Sequence, residues 1–201
     1  PPLRGIIGAP ALRQDGTVIL TPGYDTETRV FYAPDSGLEE LQPISDHPSI
    51  EEIENARDGL LDLLTNFPFV DDASKANALG LILTPFLRPA FDGPLIDAPQ
   101  PGTGKDLLGD VAGTLATGGS IPSMTAPSRG DEWRKQITAT LKAGQSVVKI
   151  GNVDRELKSS ELAAVLTTER WEARELGFSH NVVLENRATW IATGNNIKVG
   201  N

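Results

Sequence analysis

The sequence predicts an α/β domain, a mostly parallel sheet covered by helices, preceded by a small β segment and a helical lead-in. Three observations carry the prediction. From Leu95 onward, apolar runs of strand length alternate with amphipathic stretches of helix length, and that alternation builds parallel sheets because each parallel pair needs a crossover. A glycine-bearing turn, Gly102-Thr103-Gly104, stands between the first of those strands and the first of those helices. Ahead of Leu95 the pattern differs, with short β pieces broken by turn residues and then two helical stretches. The expected division is residues 1–45 for the small β segment, 46–93 for the lead-in and 94–201 for the core.

In the small β segment the apolar pieces are Gly5-Ile6-Ile7-Gly8, Thr17-Val18-Ile19-Leu20 and Arg29-Val30-Phe31-Tyr32, with Asp15-Gly16 and Pro22-Gly23 as turns. Such strands bury little alone and are expected to pack on the later elements of the chain. The first lead-in helix starts at Ser49, where Ser49 and Glu52 have capping-box spacing. Ile53, Ala56, Leu60, Leu61 and Leu64 form its apolar stripe and Pro68 stops it. A second helix spans about Asp72 to Leu87, with Ala76, Leu79, Leu83 and Phe86 on one face and Pro85 kinking or ending it.

The core opens with a strand, Leu95-Ile96-Asp97-Ala98, and after the glycine turn a helix from Lys105 to about Thr117. Asp131-Glu132-Trp133 begins another helix, with Trp133, Ile137 and Leu141 inward and Gly144 closing it. Ser146 to Ile150 is a buried strand, Ser159 to Thr167 a helix, Trp171 to Glu185 a hairpin and Ala188 to Thr193 a last strand.

Composition narrows the function classes. A 39% hydrophobic and 22% charged chain is that of an ordinary globular protein rather than a disordered one. No apolar run approaches the roughly 20 residues of a membrane helix, and no basic-then-apolar leader is present; a cytoplasmic location is expected. The absence of cysteine removes disulfides and thiolate metal sites and fits a reducing compartment. His47 and His180 have no ligand spacing around them, which argues against zinc. With a net charge of −9, broad coating of duplex DNA is disfavoured, so any nucleic-acid contact is confined to a loop or pore.

The run Pro99-Gln100-Pro101-Gly102-Thr103-Gly104-Lys105 carries the chemistry. A glycine turn between strand and helix points backbone N–H groups into one concavity, the helix N-terminus adds partial positive charge, and a lysine neutralises phosphates. Pro101, Gly102, Thr103, Gly104, Lys105 and Asp106 are therefore the expected nucleotide-binding residues. Two positions depart from the pattern: Pro99 stands for the leading glycine, and Asp106 for the hydroxyl residue that ligates magnesium. Asp106 either coordinates Mg²⁺ itself or marks a weakened site. The acidic pairs Glu39-Glu40, Glu51-Glu52 and Asp71-Asp72 read as solvated helix caps and starts.

From Pro2 to its end the chain resembles the AAA+ ATPase module of phage- and plasmid-type primase-helicases. The residues behind the resemblance are Leu3-Arg4-Gly5, Phe67-Pro68-Phe69-Val70-Asp71, Leu83-Thr84-Pro85-Phe86-Leu87-Arg88-Pro89, the phosphate loop, Glu132-Trp133-Arg134-Lys135 and Asn186-Arg187-Ala188-Thr189-Trp190-Ile191-Ala192-Thr193-Gly194-Asn195-Asn196. The resemblance makes Pro99 a family trait. It implies ATP and Mg²⁺ as cofactors, a homo-oligomeric ring such as a hexamer, and ATP hydrolysis coupled to translocation on single-stranded DNA. Asn195 is implied as the sensor of the γ-phosphate or lytic water. Phe178 and His180, at the hairpin tip, are implied as DNA contacts, because stacking on an aromatic holds single strands; Arg174 is a further contact.

Against that pattern, the strand expected to end in a metal-binding aspartate continues into Gly151-Asn152, and Asp154 would need a shifted loop to replace the missing carboxylate. The arginine finger and second sensor that the resemblance implies are expected beyond Asn201. Gly151 and Asp106 favour the alternative function, a nucleotide-binding scaffold with a degenerate metal site and little or no hydrolysis.

Overall fold

The computed structural model describes residues 3–13, 15–34, 37–38, 41, 44–45, 47–87, 95–98 (backbone), 102–154, 156–174, 180–198 and 200. Five short strands open the chain: β1 (Gly5–Ile7), β2 (Ala11–Leu12), β3 (Val18–Ile19), β4 (Gly23–Tyr24) and β5 (Val30–Tyr32). β1 lies parallel to β5, β4 antiparallel to it, and β2 pairs with β3. Helices α1 (Ile50–Leu63) and α2 (Asp72–Leu87) come next. The core then runs β6 (Leu95–Ala98), α3 (Lys105–Thr117), β7 (Ser123–Thr125), α4 (Gly130–Lys142), β8 (Val147–Val153), α5 (Ser160–Thr167), β9 (Arg170–Arg174), β10 (Asn181–Glu185) and β11 (Thr189–Asn195).

Four of these strands form a parallel sheet in the order β6-β11-β8-β7, flanked by helices as the alternation requires. Its two faces bury separate clusters. Leu64, Ala78, Leu81, Ile82, Leu108 and Ala112 cover Val147 and Ile191 on one side, placing α2 and α3 there. Trp133, Ile137, Leu162, Val165 and Trp171 cover Val148, Ile150 and Trp190 on the other. Because side chains alternate along a strand, β11 presents Ile191, Thr193 and Asn195 toward α3, and β8 presents Val147, Lys149 and Gly151.

The small β segment docks where the sequence places helix-ending glycines. A Cβ on Gly118 would stand 2.6 Å from the carbonyl carbon of Gly8, and one on Gly144 2.6 Å from the oxygen of Arg4. Both glycines also have positive φ, 81° and 70°, so helix closure and close approach demand the same residue.

Two lead-in expectations change. α1 has the capping box between Ser49 and Glu52, but Ile53 and Ala56 are exposed and only Leu64 is fully buried, so the expected stripe packs over its last turn alone. α2 continues through Pro85 to Leu87 and buries Ala78, Leu81 and Ile82. Of the face expected instead, Ala76 and Leu83 are exposed and Leu79 and Phe86 half-buried. Apolar residues ring this helix, so periodicity could not choose the face; packing against α3 does. The hairpin is present as antiparallel β9 and β10, with Arg174 opposite Asn181. Among the described residues no helix is long and apolar enough to cross a membrane.

Candidate functional site

Ligands of open parallel sheets sit at the carboxyl ends of the strands, and this edge is where polar residues gather. Gly102 and Gly104 both take left-handed φ, 81° and 83°, which carries the chain from β6 into α3 with Gly104 as its N-cap. A Cβ at Gly104 would stand 3.4 Å from the Phe67 ring, so the turn rests on the segment linking α1 and α2. Lys105 and Asp106 lie in the first turn of α3.

Three polar rungs then join α3 to the sheet. Lys105 Nζ donates to Asn195 Oδ1 at 2.8 Å. Thr193 Oγ1 donates to Asp106 Oδ1 at 2.5 Å. One turn further along, Lys149 Nζ meets Asp110 Oδ1 at 2.5 Å. Lys105 and Lys149 are each only 8% exposed and Thr193 is fully buried, so these groups are held apart from bulk water and depend on each other for hydrogen bonds. The first rung unites two residues that sequence reading nominated separately, 90 positions apart.

The sheet edge itself is irregular at this point. The β8–β11 register shifts between Ala192 and Gly194, opposite Ile150 and Val153, so β8 carries an extra residue there. Asn152 in that bulge has φ 54°, and Asn196 just beyond Asn195 has φ 52°. Bulges beside functional sites re-aim side chains, and asparagine tolerates this backbone better than most residues.

Gly151 follows Lys149 on the same face of β8 and sits close to these rungs. A Cβ built there would meet Ser123 Oγ at 3.1 Å, Asp106 Oδ1 at 3.9 Å and Thr193 Oγ1 at 3.9 Å. The three nearest atoms to that point are oxygens, one of them of a carboxylate, the donor type that hard divalent cations such as Mg²⁺ favour. Asp154, considered from sequence as a replacement acid, is not among the three nearest neighbours of this point.

Thr103 is half-buried in the turn. Pro99, Pro101 and Phe178 lie outside the described residues, as do Gly177 and Ser179 of the hairpin tip. His180 is described and exposed, immediately ahead of β10. At the hairpin base, Asn186 Nδ2 donates to the carbonyls of Val165 and Thr168, and Trp171 is buried with its Nε1 donating to Thr138 Oγ1 at 3.0 Å. Arg134 covers the Trp171 ring at 5.5 Å.

Sequence reading did not single out Ser123, Thr193, Lys149 or Asp110 as functional. A lysine inside the apolar strand Val147-Val148-Lys149-Ile150 was a visible signal of a buried partner. β7 was too short and too close to Pro122 to be read as a strand, which hid Ser123.

No family model and no curated protein matches the chain. Among solved structures, the chain is similar to the apo A form of the C-terminal region of NrS-1, at 16% identity and a TM-score of 0.40, covering 95% of this chain and 46% of that one. The chain thus spans about half the length of that structure. A likeness of this degree leaves the functional reading to rest on the site's own geometry.

Proposed function

We propose that the chain binds a nucleoside triphosphate at the loop between β6 and α3, with Lys105 on the β and γ phosphates and Asn195 beside the γ-phosphate. The observation that carries this is the 2.8 Å contact between Lys105 and Asn195. It stands at the carboxyl edge of a parallel sheet, next to a turn whose two glycines adopt left-handed backbone. Phosphate oxygens arriving there would meet an ammonium, a helix N-terminus and loop N–H groups, and the amide of Asn195 would orient a γ-phosphate oxygen or a water. Mg²⁺ would shield phosphate charge when bound; Asp106 is the carboxylate available to hold it.

The finer reading comes with the family resemblance: a module of a ring-forming DNA motor, in which ATP hydrolysis drives movement along single-stranded DNA touched by Phe178 and His180. The second reading, a nucleotide-binding scaffold with little hydrolysis, is favoured by Gly151, which supplies no carboxylate at the end of β8.

Lys105→Ala tests the first claim. Titration calorimetry should show ATP affinity falling about tenfold to a hundredfold, the scale of a charge-assisted contact of roughly 1.5–3 kcal/mol. Equal affinities would sink the nucleotide assignment. For the DNA claim, alanine at Phe178 and His180 should lower single-strand affinity by about 1–3 kcal/mol per unstacked base. Unchanged fluorescence anisotropy in an assembled preparation removes the hairpin from the DNA path.

A further inference from the structure

At the opposite edge of the sheet, where its strands begin, the fold forms a second polar site that involves neither the glycine turn nor the hairpin tip. Ser146, just ahead of β8, and Asn186 and Arg187, ahead of β11, line a cavity of about 540 Å³, walled also by the small β segment and by Pro85 and Phe86 of α2. That volume falls within the roughly 300–1,000 Å³ of small-molecule sites. Its charge is organised around Glu185. Arg4 and Arg29 of the β segment both donate Nη2 to Glu185 Oε1, Arg29 at 3.5 Å, and Arg187 Nε donates to Oε2 at 3.2 Å. Arg170 faces Glu185 across the β9–β10 ladder and lines the same cavity. A carboxylate accepts at about four positions and each guanidinium carries about five donors. Four arginines around one acid therefore leave positive charge and N–H groups in excess, in a chain whose net charge is −9.

We propose that this cavity binds a nucleotide by its phosphate, either as a free nucleoside monophosphate or as one residue of a single strand. The arginine cluster takes the phosphate, whose oxygens match the guanidinium fork two at a time. Ile7, Val30 and Phe86 line the cavity with apolar surface for the base, and an aromatic such as Phe86 is a surface on which bases stack. Glu27 and Glu169 line it too, and their carboxylates accept from the N–H groups that a base carries and a simple phosphate lacks. Because Glu185 already holds Arg4 and Arg29 in place, little side-chain freedom is lost when the phosphate arrives. Glu185 also competes with the phosphate for the same guanidinium groups. The site lies at the edge of the sheet away from Lys105 and does not rest on the nucleotide reading there.

Heteronuclear NMR of the labelled full chain reads the site directly. AMP should shift the side-chain Nε–H signals of Arg4, Arg170 and Arg187 and the backbone amides of Ile7 and Val30, and should bind more tightly than inorganic phosphate. A fluorescein-labelled oligodeoxyadenylate, followed by anisotropy, separates the two sources: a gain of about tenfold or more over AMP, the scale of one added charge-assisted contact, makes the strand the ligand, and no such gain makes it the free nucleotide. Arg170→Gln with Arg187→Gln should weaken the better probe about tenfold to a hundredfold. The melting temperature should hold, since Arg170 is exposed and the Arg187 side chain is 63% exposed. Glu185→Gln removes the competing carboxylate and should tighten binding, an effect that a purely structural ion-pair cluster would not give. Inorganic phosphate or hexaglutamate binding as tightly as AMP would overturn the proposal, as would unchanged affinity in the arginine double variant or AMP shifts confined to Gly102–Lys105. Lys105→Ala should leave the shifts at the arginines in place, so a failure of the loop reading and a failure of this one are read apart.

Discussion

The small β segment and the carboxyl edge of the four-stranded sheet are both rich in polar contacts, but they place them oppositely. In the β segment the contacts are peripheral. Arg13 pairs with Asp25 at 2.8 Å, and Arg4 and Arg29 reach Glu185 of the hairpin. At the sheet edge Lys105, Lys149 and Thr193 are buried, directly above the apolar residues Val147, Ile191, Leu108 and Ala112. Peripheral pairs fix where a segment lies and contribute little stability. Buried polar groups tend to cost stability, since replacement by apolar residues is often neutral or favourable. The apolar layer beneath the three rungs supplies the folding energy, and on the proposed function the rungs are kept for nucleotide binding rather than for stability.

The contrast is broken most severely from below. Ile191→Ala removes a fully buried side chain between α3 and the sheet, and urea unfolding should show a loss of about 2–5 kcal/mol. A much smaller loss would mean that the edge does not stand on that core. The rungs themselves should behave differently: Lys105→Ala, expected to weaken ATP binding, should leave the melting temperature level or raise it. A marked drop would make Lys105 a structural residue first. The smallest effect belongs to the β segment. The Arg13 guanidinium, followed by the hydroxyl and backbone N–H of Thr28, holds the Asp25 carboxyl well below the usual carboxylate range. A carboxyl depressed on folding contributes stability above its unfolded pKa, and that contribution is lost as pH falls from there toward the folded value. Asp25→Asn should therefore lower stability near neutral pH and flatten its decline in acid, with ATP affinity unchanged; an identical acid profile would deny the ion pair any part in holding the segment.

Much of this is legible without any tertiary contact, and the legible parts share a cause. The Ser49 capping box, α3 from Lys105 to Thr117, the inward triad Trp133, Ile137 and Leu141, and the β9–β10 hairpin are fixed by residues within a few positions of one another. Lys105 stands out because the glycine turn that precedes it is a local motif, and Asn195 because the family resemblance covers its strand. The buried face of α2 escapes sequence reading for the complementary reason: its sequence is apolar on several sides, and only the position of α3 selects Ala78, Leu81 and Ile82.

By itself, then, the sequence determined which of the longer pieces are helix or strand, where the loop lysine stands, and that Asp106 and Gly151 both depart from the usual metal pattern. Strand order was decided only in three dimensions. By inserting β11 between β6 and β8, the fold brings Asn195 to Lys105 and Thr193 to Asp106, and it sets Ser123 of β7 beside Gly151. Neighbour relations in a parallel sheet join residues tens of positions apart through burial on both faces. No local spacing encodes them, and so the departures at 106 and 151 look unrelated in the sequence and lie side by side in the structure.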